Sequence, residues 1–438
     1  MDDRAFFKRS LNTRGQKDDR FICHRDKLTE IRQCWRPQSS QKGNDILDLK
    51  DWARRNYTRH LDNAFGLAKD NKEDVIKSWP CIPRRKSCLT SADNVLDLPT
   101  FSHADFSELL DWSNKDILVA ALGSSYYKWS WDTQRISGRG STSYNIQTCK
   151  FDPNGDRLAF GMTDCSIQIH DTERSKHLVH KKCTCYIKDG CSITSLDWSP
   201  TGNGLIVGCS RGEVTSYTYD LKIVAFFCQK PSYMPPIFCV RISPDARFAA
   251  IATLQSSEVF VVTWPFLQLH RVVEFEESIP TAMSWHPWCS ALLCLGGVTN
   301  ANHTQVAVCS VPNGKMQQTT LLGTYSLDAM LFSNKSGELV LSLYNTERGL
   351  QYPKISSRLV VLSNLSTVVD QWSDDGRTGL DRVRTMVSNP DGTKLATATL
   401  DEDLIIWNFL PETKEKTKSK RNLTSIAVYL DNLSGCSR

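Results

Sequence analysis

The feature that most constrains the fold is a short unit that recurs along the chain at a nearly fixed spacing. In each copy an apolar strand is followed by a small or acidic residue, a proline, a turn and a second apolar strand. Clear copies contain Pro153, Pro200, Pro244, Pro287 and Pro390, so successive prolines are 47, 44, 43 and 103 residues apart. Such a period indicates a repeat architecture in which each unit stacks on the next.

Two further copies bring the number of units to seven. One is MLFSNKSGELVLSL, with Asn334 in the place of the proline, and the other is LLDWSNKDILVAAL from Leu109. Each unit continues into a third strand, as at 166–171 (SIQIHD), and one such sheet cannot bury both of its faces alone. We therefore predict an all-β fold, a seven-bladed WD-repeat β-propeller, in which the strand Val95–Phe101 completes the last blade and removes its exposed edge.

Differences in apolar patterning and charge divide the chain into three parts. Residues 1–94 form a basic arm without a sustained apolar pattern, and we predict that it is mostly disordered because it has too little apolar surface to offset the entropy of ordering. Residues 95–410 form the propeller, and residues 411–438 form a flexible tail. The arm carries the positive charge, since residues 1–86 contain 21 Lys and Arg against 13 Asp and Glu, whereas the later residues contain 32 against 35. A nucleic-acid-binding propeller would instead concentrate basic residues on its blades, so we expect no nucleic-acid partner.

Several other classes of protein are disfavoured by what the sequence lacks. The longest apolar runs fall far short of the ~20 residues of a membrane helix, and the polar, acidic N-terminus does not resemble an export signal. We therefore expect a protein of the cytoplasm and nucleus, without membrane contact, whose 16 cysteines are reduced. The sequence contains no phosphate-binding loop, nucleophile elbow or dinucleotide fingerprint, which predicts a protein without catalytic residues or cofactor.

One cluster of potential metal ligands lies between the second and third units. It contains His177, His180, Cys183, Cys185 and Cys191. Zinc sites usually show Cys-x₂₋₄-Cys or His-x₃₋₅-His spacing, and Cys-x-Cys with His-x₂-His fits neither pattern. The spacing thus favours a polar inter-blade loop without a metal over a zinc site.

Two stretches of the chain resemble the Fizzy and Fizzy-related family, whose members are substrate-recruiting activators of the anaphase-promoting complex. The first runs from Arg84 to Trp129 and is similar to the family's basic linker, closing strand and first blade. The second, RVRTMVSNPDGTKLATATLDEDLIIWNF, is similar to its last blade. The resemblance implies a non-catalytic, degron-binding subunit of this ubiquitin ligase that acts in the mitotic or meiotic cell cycle. Its implied partners are the subunits of the complex and degron-bearing substrates such as cyclins, bound by a monomer within the larger assembly.

A short segment of the arm resembles the family's C box, which docks the activator on the ligase. The matching residues are Asp19, Arg20, Phe21, Ile22 and Arg25. Arg20 offers a planar fork for carboxylate or carbonyl groups, and the two apolar residues after it supply anchors. Cys23 stands where the family has proline, which we expect to weaken docking by about 0.4–1 kcal/mol through lost preorganisation. The family's second docking point, a terminal Ile-Arg pair, is represented here by Arg438 after Ser437.

The resemblance also implies a groove between the first and last blades that binds the destruction box, Arg-x-x-Leu. The matching positions are Leu110, Asp111, Asp401 and Glu402. Two carboxylates facing one groove would pair with the arginine, and Leu110 would line the pocket for the leucine. The alternative is that these acids hold turns of the blades by accepting hydrogen bonds from nearby backbone N–H groups.

Other family features are poorly kept, which leaves a second function open. The blade tips that accompany recognition of the Lys-Glu-Asn degron are replaced by ATLQSSE at 252–258, GGVTNAN at 296–302 and SLYNTERG at 342–349. These departures argue against normal reading of that degron. The competing function is a WD-repeat interaction scaffold that has lost ligase docking and bridges other proteins.

Overall fold

The computed structural model describes residues 79–89, 92–101, 108–185, 190–228, 235–321, 324–345, 357–373 and 382–410. Within these ranges the regular structure consists of strands, which form seven antiparallel sheets of four strands each. The seven-bladed propeller predicted from the repeat is therefore confirmed. Among the described residues there is no helix with the length and apolar character needed to cross a bilayer.

The chain enters the fold through β1 (Ala92–Asp97) and then builds the blades one after another. The strands of the first three blades are β2 (Leu110–Trp112), β3 (Ile117–Leu122), β4 (Ser125–Ser130), β5 (Arg135–Ser141), β6 (Ile146–Phe151), β7 (Arg157–Met162), β8 (Ser166–Asp171), β9 (His177–Lys182), β10 (Ile193–Trp198), β11 (Gly204–Cys209), β12 (Val214–Thr218) and β13 (Ile223–Phe227).

The last four blades contribute fifteen further strands, and β1 supplies the fourth strand of the last blade. They comprise β14 (Ile237–Ile242), β15 (Phe248–Thr253), β16 (Glu258–Thr263), β17 (Leu269–Glu274), β18 (Ser278–Trp285), β19 (Leu292–Thr299), β20 (Thr304–Ser310), β21 (Lys315–Thr320), β22 (Tyr325–Phe332), β23 (Leu339–Asn345), β24 (Ser357–Asn364), β25 (Thr367–Ser373), β26 (Val383–Ser388), β27 (Lys394–Thr399) and β28 (Asp403–Asn408).

The recurring proline marks the hairpin turn between the first two strands of a blade. In six of the seven hairpins a residue two or three positions after the proline, or after its replacement, has a positive φ; these are Asp116, Gly155, Gly202, Ala246, Gly337 and Gly392. Proline fixes φ early in the turn, and a residue in the left-handed region then returns the chain into the second strand. The repeated sequence unit is therefore one hairpin, and glycine recurs in it because that position disfavours a side chain.

The ring is closed by β1, which pairs antiparallel with β28 so that the last sheet has the order β1-β28-β27-β26. Val95 lies opposite Ile405, and the N–H of Leu98 donates to the carbonyl of Glu402 at 2.6 Å. The sequence predicted this strand at Val95–Phe101, whereas the paired residues begin three positions earlier and end at Asp97. The pairing covers β28, which would otherwise be an exposed edge.

The blades are held to one another by apolar clusters that span their boundaries. One such cluster combines Ile206 and Val214 of the third blade with Ile237 and Ile251 of the fourth. Hydrogen bonds between the first strands of neighbouring blades also join them. The Trp198 indole Nε1, for example, donates to the Lys150 carbonyl of the preceding blade at 3.1 Å. Each blade thus covers the faces of its neighbours, which a single four-stranded sheet could not do alone.

A segment before β1 packs against the sixth and seventh blades, although the sequence placed it in the arm. Trp79 is 3% exposed and donates from its indole Nε1 to the carbonyl of Gly337 at 2.8 Å. Leu89, at the other end of the segment, is 2% exposed and lies in a cluster with residues of the last two blades. The described propeller therefore extends N-terminally to Trp79.

Candidate functional site

The seam between the first and last blades is where the sequence predicted a peptide-binding groove. Leu110, the first residue of β2, lies in one apolar cluster with Leu404 and Ile406 of the last blade and with Leu98 behind the closing strand. Its exposure is 0%. The side chain is therefore covered in this structure, and contact with a degron leucine would require neighbouring residues to move.

Asp111, the next residue, points from the first blade to the second blade. Its Oδ2 accepts a hydrogen bond from the backbone N–H of Phe151 at 2.7 Å. Its Oδ1 lies 3.3 Å from the Lys150 ammonium group, and both side chains are partly exposed, at 16% and 18%. The carboxylate thus fastens two blades together and keeps one oxygen beside a cation at the edge of solvent.

The inter-blade hydrogen bond that Asp111 accepts recurs in other blades. Asp197, at the corresponding position of the third blade, accepts a hydrogen bond from the N–H of Ile242 at 2.8 Å. In the fifth blade, Ser284 accepts one from the N–H of Phe332 at 3.3 Å. Asp111 therefore has a structural role between two blades and not within a blade turn, and this role does not exclude a second partner for Oδ1.

Charges around Lys150 determine how available that oxygen is. Burial lowers the pKa of Lys150, but the carboxylates of Asp111 and Glu108 outweigh burial and hold the pKa above its ordinary value. Glu108 is in turn bonded to the Arg241 guanidinium, whose Nη1 lies 3.3 Å from Oε2. Lys150 is thus firmly protonated, and Oδ1 of Asp111 already lies beside a cation.

Glu402 lies in the turn between β27 and β28, with φ at 65°. Its Oε1 accepts a hydrogen bond from the N–H of Thr100 at 2.9 Å, so the side chain holds the chain just after the closing strand. Asp401 beside it is exposed. Asp111 and Glu402, the two carboxylates predicted to receive the degron arginine, therefore each already accept a hydrogen bond from a backbone N–H group.

The remaining predicted docking residues cannot be placed. Asp19, Arg20, Phe21, Ile22, Arg25 and Arg438 lie outside the described residues. Their roles stay predictions, as do the degron contacts of Leu110, Asp111, Asp401 and Glu402.

Arg84 was not predicted as a structural residue, because it lies in a short basic run. The structure buries its guanidinium between Glu338 and Asp370, at 2.8 Å from each, while Arg85 beside it is exposed. The ring of Phe409 covers the guanidinium with its centroid at 4.2 Å. The match of this segment to the Fizzy linker was the one sequence signal that separated Arg84 from ordinary solvated charge.

Seven four-stranded blades, closed by a strand that precedes the first of them, define the chain as a WD-repeat β-propeller. None of the protein-family models matches it. Protein cortex of Heliconius erato is 45% identical over 445 residues, which cover 98% of each chain. The chain therefore belongs to the cortex proteins, which are members of the Fizzy family.

More distant comparisons agree with this family and with the fold. A protein of Arabidopsis thaliana described as "Cell division cycle 20.5, cofactor of APC complex" is 23% identical over 403 residues, covering 86% of this chain and 82% of that protein. A chain in a crystal structure of the mitotic checkpoint complex superposes with a TM-score of 0.61 at 19% identity, covering 78% of this chain and 99% of that one. The structural likeness supports the propeller fold alone.

Proposed function

We propose that this protein is a non-catalytic, substrate-recruiting activator subunit of the anaphase-promoting complex that binds destruction-box degrons of cell-cycle proteins. The observation that carries the proposal is its relationship, over 86% of its length, to a plant protein described as a cofactor of that complex. The C-box-like segment of the arm supplies the docking element that such a role needs.

The seam between the first and last blades supports the degron-binding part of the proposal through its charge. Asp111 holds one oxygen beside Lys150 at a partly exposed position, and Glu402 lies in a turn of the last blade. A peptide arginine would compete with Lys150 for the second oxygen of Asp111, and Glu402 would add a negative charge on the last blade. Because both carboxylates also accept a backbone hydrogen bond, their orientation is fixed before the peptide arrives, which lowers the entropic cost of binding.

The test of degron binding is a titration of the full chain with a labelled Arg-x-x-Leu peptide. Asp111→Asn and Glu402→Gln keep an oxygen that can accept from Phe151 or Thr100 but remove the charge. We expect the double variant to bind at least tenfold more weakly, which corresponds to about 1.4 kcal/mol. A control peptide with alanine for arginine should bind wild type as weakly as the intact peptide binds the double variant.

Asp197→Asn is the matched control for this experiment. Asp197 makes the same inter-blade hydrogen bond as Asp111, but it lies in the third blade and away from the seam. If Asp111 acts on the peptide only by holding blades together, Asp111→Asn and Asp197→Asn should each reduce affinity for the peptide in proportion to the stability that they lose. Undiminished affinity of the stable double variant would remove the degron-binding assignment.

Ligase docking is tested separately, by recovering subunits of the complex with tagged full-length protein. Arg20→Ala should abolish recovery because truncation of a charged anchor removes several contacts at once. Cys23→Pro should leave recovery equal or greater, since it restores a preorganised backbone. Full recovery with Arg20→Ala would contradict docking through this segment.

The scaffold function remains the second candidate because specific residues favour it. Cys23 replaces the family proline, Ser437 replaces the isoleucine of the tail, and Leu110 is covered at the seam. A scaffold of this kind would bind partner proteins without recovering ligase subunits, and it would be insensitive to the arginine of the peptide.

A further inference from the structure

Four cysteine side chains meet at the boundary between the second and third blades. They are Cys183, Cys185, Cys191 and Cys209, whose sulfur atoms all lie within 4.8 Å of one another. The four side chains belong to buried residues that are 6%, 3%, 2% and 1% exposed. This overturns our interpretation of the segment as a polar loop, since its cysteines are core residues.

The cluster joins two parts of the chain that are separate in sequence. Cys183 and Cys185 follow β9, and Cys191 precedes β10, so these three lie on the connection between blades. Cys209 is the last residue of β11, inside the third blade. The candidate histidines do not take part, because His177 and His180 lie on the exposed strand β9.

We propose that Cys183, Cys185, Cys191 and Cys209 form a structural zinc site that fastens the connection between the second and third blades to the third blade. The distances suit this metal. A zinc ion with four thiolate ligands at about 2.3 Å places the sulfur atoms about 3.8 Å apart in a tetrahedron. The sulfur atoms of Cys185 and Cys191 lie 3.4 Å apart, and no two of the four sulfur atoms are more than 4.8 Å apart.

The backbone around the cluster is already fixed, as a metal site requires. Ser192 N–H donates to Ser210 Oγ at 3.0 Å, which ties the neighbour of Cys191 to the neighbour of Cys209. This hydrogen bond holds the two segments that carry Cys191 and Cys209 side by side.

The surroundings favour a closed structural site over a catalytic or redox one. The cluster packs among apolar residues that include Ile193, Leu205 and Val207, and four protein ligands leave no position for water or substrate. Soft thiolate ligands in a tetrahedral set select zinc or iron among the common metals. Cys294, a buried cysteine outside the cluster, packs instead against Met330 with the two sulfur atoms 3.8 Å apart.

The sequence hid this site because the fourth ligand follows the third by 18 positions and lies at the end of a strand. Cys-x-Cys on the connection is too short to be the usual zinc spacing. Only the pairing of β10 with β11 brings Ile193 opposite Cys209 and hence Cys191 beside it.

The experiment measures metal in the full-length protein, purified under reducing conditions without chelator. We expect one zinc ion per chain and little iron, as determined by elemental analysis. Replacement with Co²⁺ should give the visible absorption of tetrahedral cobalt together with thiolate-to-cobalt charge-transfer bands. Folded wild type without bound metal would overturn the proposal, and so would stoichiometric iron or a mass lighter by two hydrogens, which indicates a disulfide.

Variants localise the metal to these four residues. Cys191→Ala and Cys209→Ala should lose the zinc, whereas Cys294→Ala, at a buried cysteine outside the cluster, should retain it. His177→Ala should also retain it, because this side chain lies on the exposed strand β9. Retention of zinc by Cys209→Ala would overturn the assignment. If that variant fails to fold, the cobalt spectrum of wild type tests the site, since a spectrum without thiolate-to-cobalt bands would overturn it.

Discussion

Arg84 and Glu338 form a buried ion pair across 254 positions of sequence, with 2.8 Å between Nη2 and Oε2 and side chains that are 2% and 0% exposed. The same guanidinium donates to Asp370 at 2.8 Å and to the carbonyl of Phe409 at 3.2 Å. One side chain thus joins the segment before the closing strand to the sixth and seventh blades. Without it, two carboxylates would remain buried beside each other.

Replacement of Arg84 should therefore be strongly destabilising. We expect Arg84→Ala to lower the free energy of unfolding by about 3–5 kcal/mol, because it leaves buried charges uncompensated. Arg85→Ala, at the exposed neighbour, should change it by less than about 0.5 kcal/mol. Urea denaturation followed by tryptophan fluorescence measures both, and equal midpoints for the two variants would contradict a structural role of Arg84.

N-terminal truncations should lose stability in steps that follow the contacts. Deletion of 1–78 removes none of the described residues and should leave a soluble, cooperatively melting propeller. Deletion of 1–90 removes Trp79 and Arg84 and should lower the melting temperature. Deletion of 1–99 also removes β1, which exposes the edge of β28 and should cause aggregation. Light scattering and thermal melts compare the three, and equal solubility of the last two would argue against closure by β1.

Stability should depend on pH through His170. The pKa of this buried side chain is lowered from 6.5 to about 4, mainly by burial and further by the charges of His177 and Lys128. The unfolded chain then binds more protons than the folded one between these values, so stability is complete above about pH 6.5 and falls as the pH drops toward 4. His170 should contribute a loss on the order of 1–2 kcal/mol at pH 5.

The His170 contribution is isolated by comparing variants at pH 7.5 and pH 5. His170→Gln retains polar atoms beside Tyr126 and Gln168, which both hydrogen-bond to the wild-type ring. Its denaturation midpoint should therefore shift less between the two pH values than that of wild type. His180→Gln, on the exposed strand β9, should show the wild-type shift. The same shift in all three proteins would assign the dependence to other groups.

Turn residues with positive φ should respond to substitution in opposite directions. Ala246 has φ at 54° in the hairpin position where the third blade has Gly202 at 71°. Because left-handed backbone disfavours a Cβ, Ala246→Gly should stabilise the protein and Gly202→Ala should destabilise it, each by about 0.5–1 kcal/mol. Chemical denaturation measures both signs. Stabilisation by Gly202→Ala would contradict the turn geometry.

Local chemistry explains why so much of the fold was predictable. Pro153, Pro200 and their counterparts fix the hairpins, and even the degenerate unit at Asn334 forms one, because Gly337 still supplies the left-handed residue. The closing strand was also predictable, since seven units without a final edge strand would leave a blade incomplete. Its boundaries were less so, as the pairing of Ala92 with Trp407 depends on a bulge.

What the sequence did not reveal depends on contacts between distant residues. Arg84 in a basic run gives no sign of Glu338 or Asp370, and Cys209 gives no sign of Cys191 until β10 and β11 pair. At the seam, the pattern correctly placed Asp111 and Glu402 on the first and last blades. It could not show that Leu110 is covered or that Lys150 already lies beside Asp111, because both facts follow from how neighbouring blades pack.

Closure by β1 also imposes an order on synthesis. The ribosome makes this strand among the first of the propeller, yet its partner β28 begins only at Asp403. At roughly 5–20 residues per second, the intervening stretch of about 300 residues takes about 15–60 s to translate. Throughout that interval β1 lacks its partner strand β28, so the nascent polypeptide must keep β1 from pairing with another strand. The ring can therefore close only after its last blade has left the ribosome. Chaperones have that whole period in which to bind the open propeller.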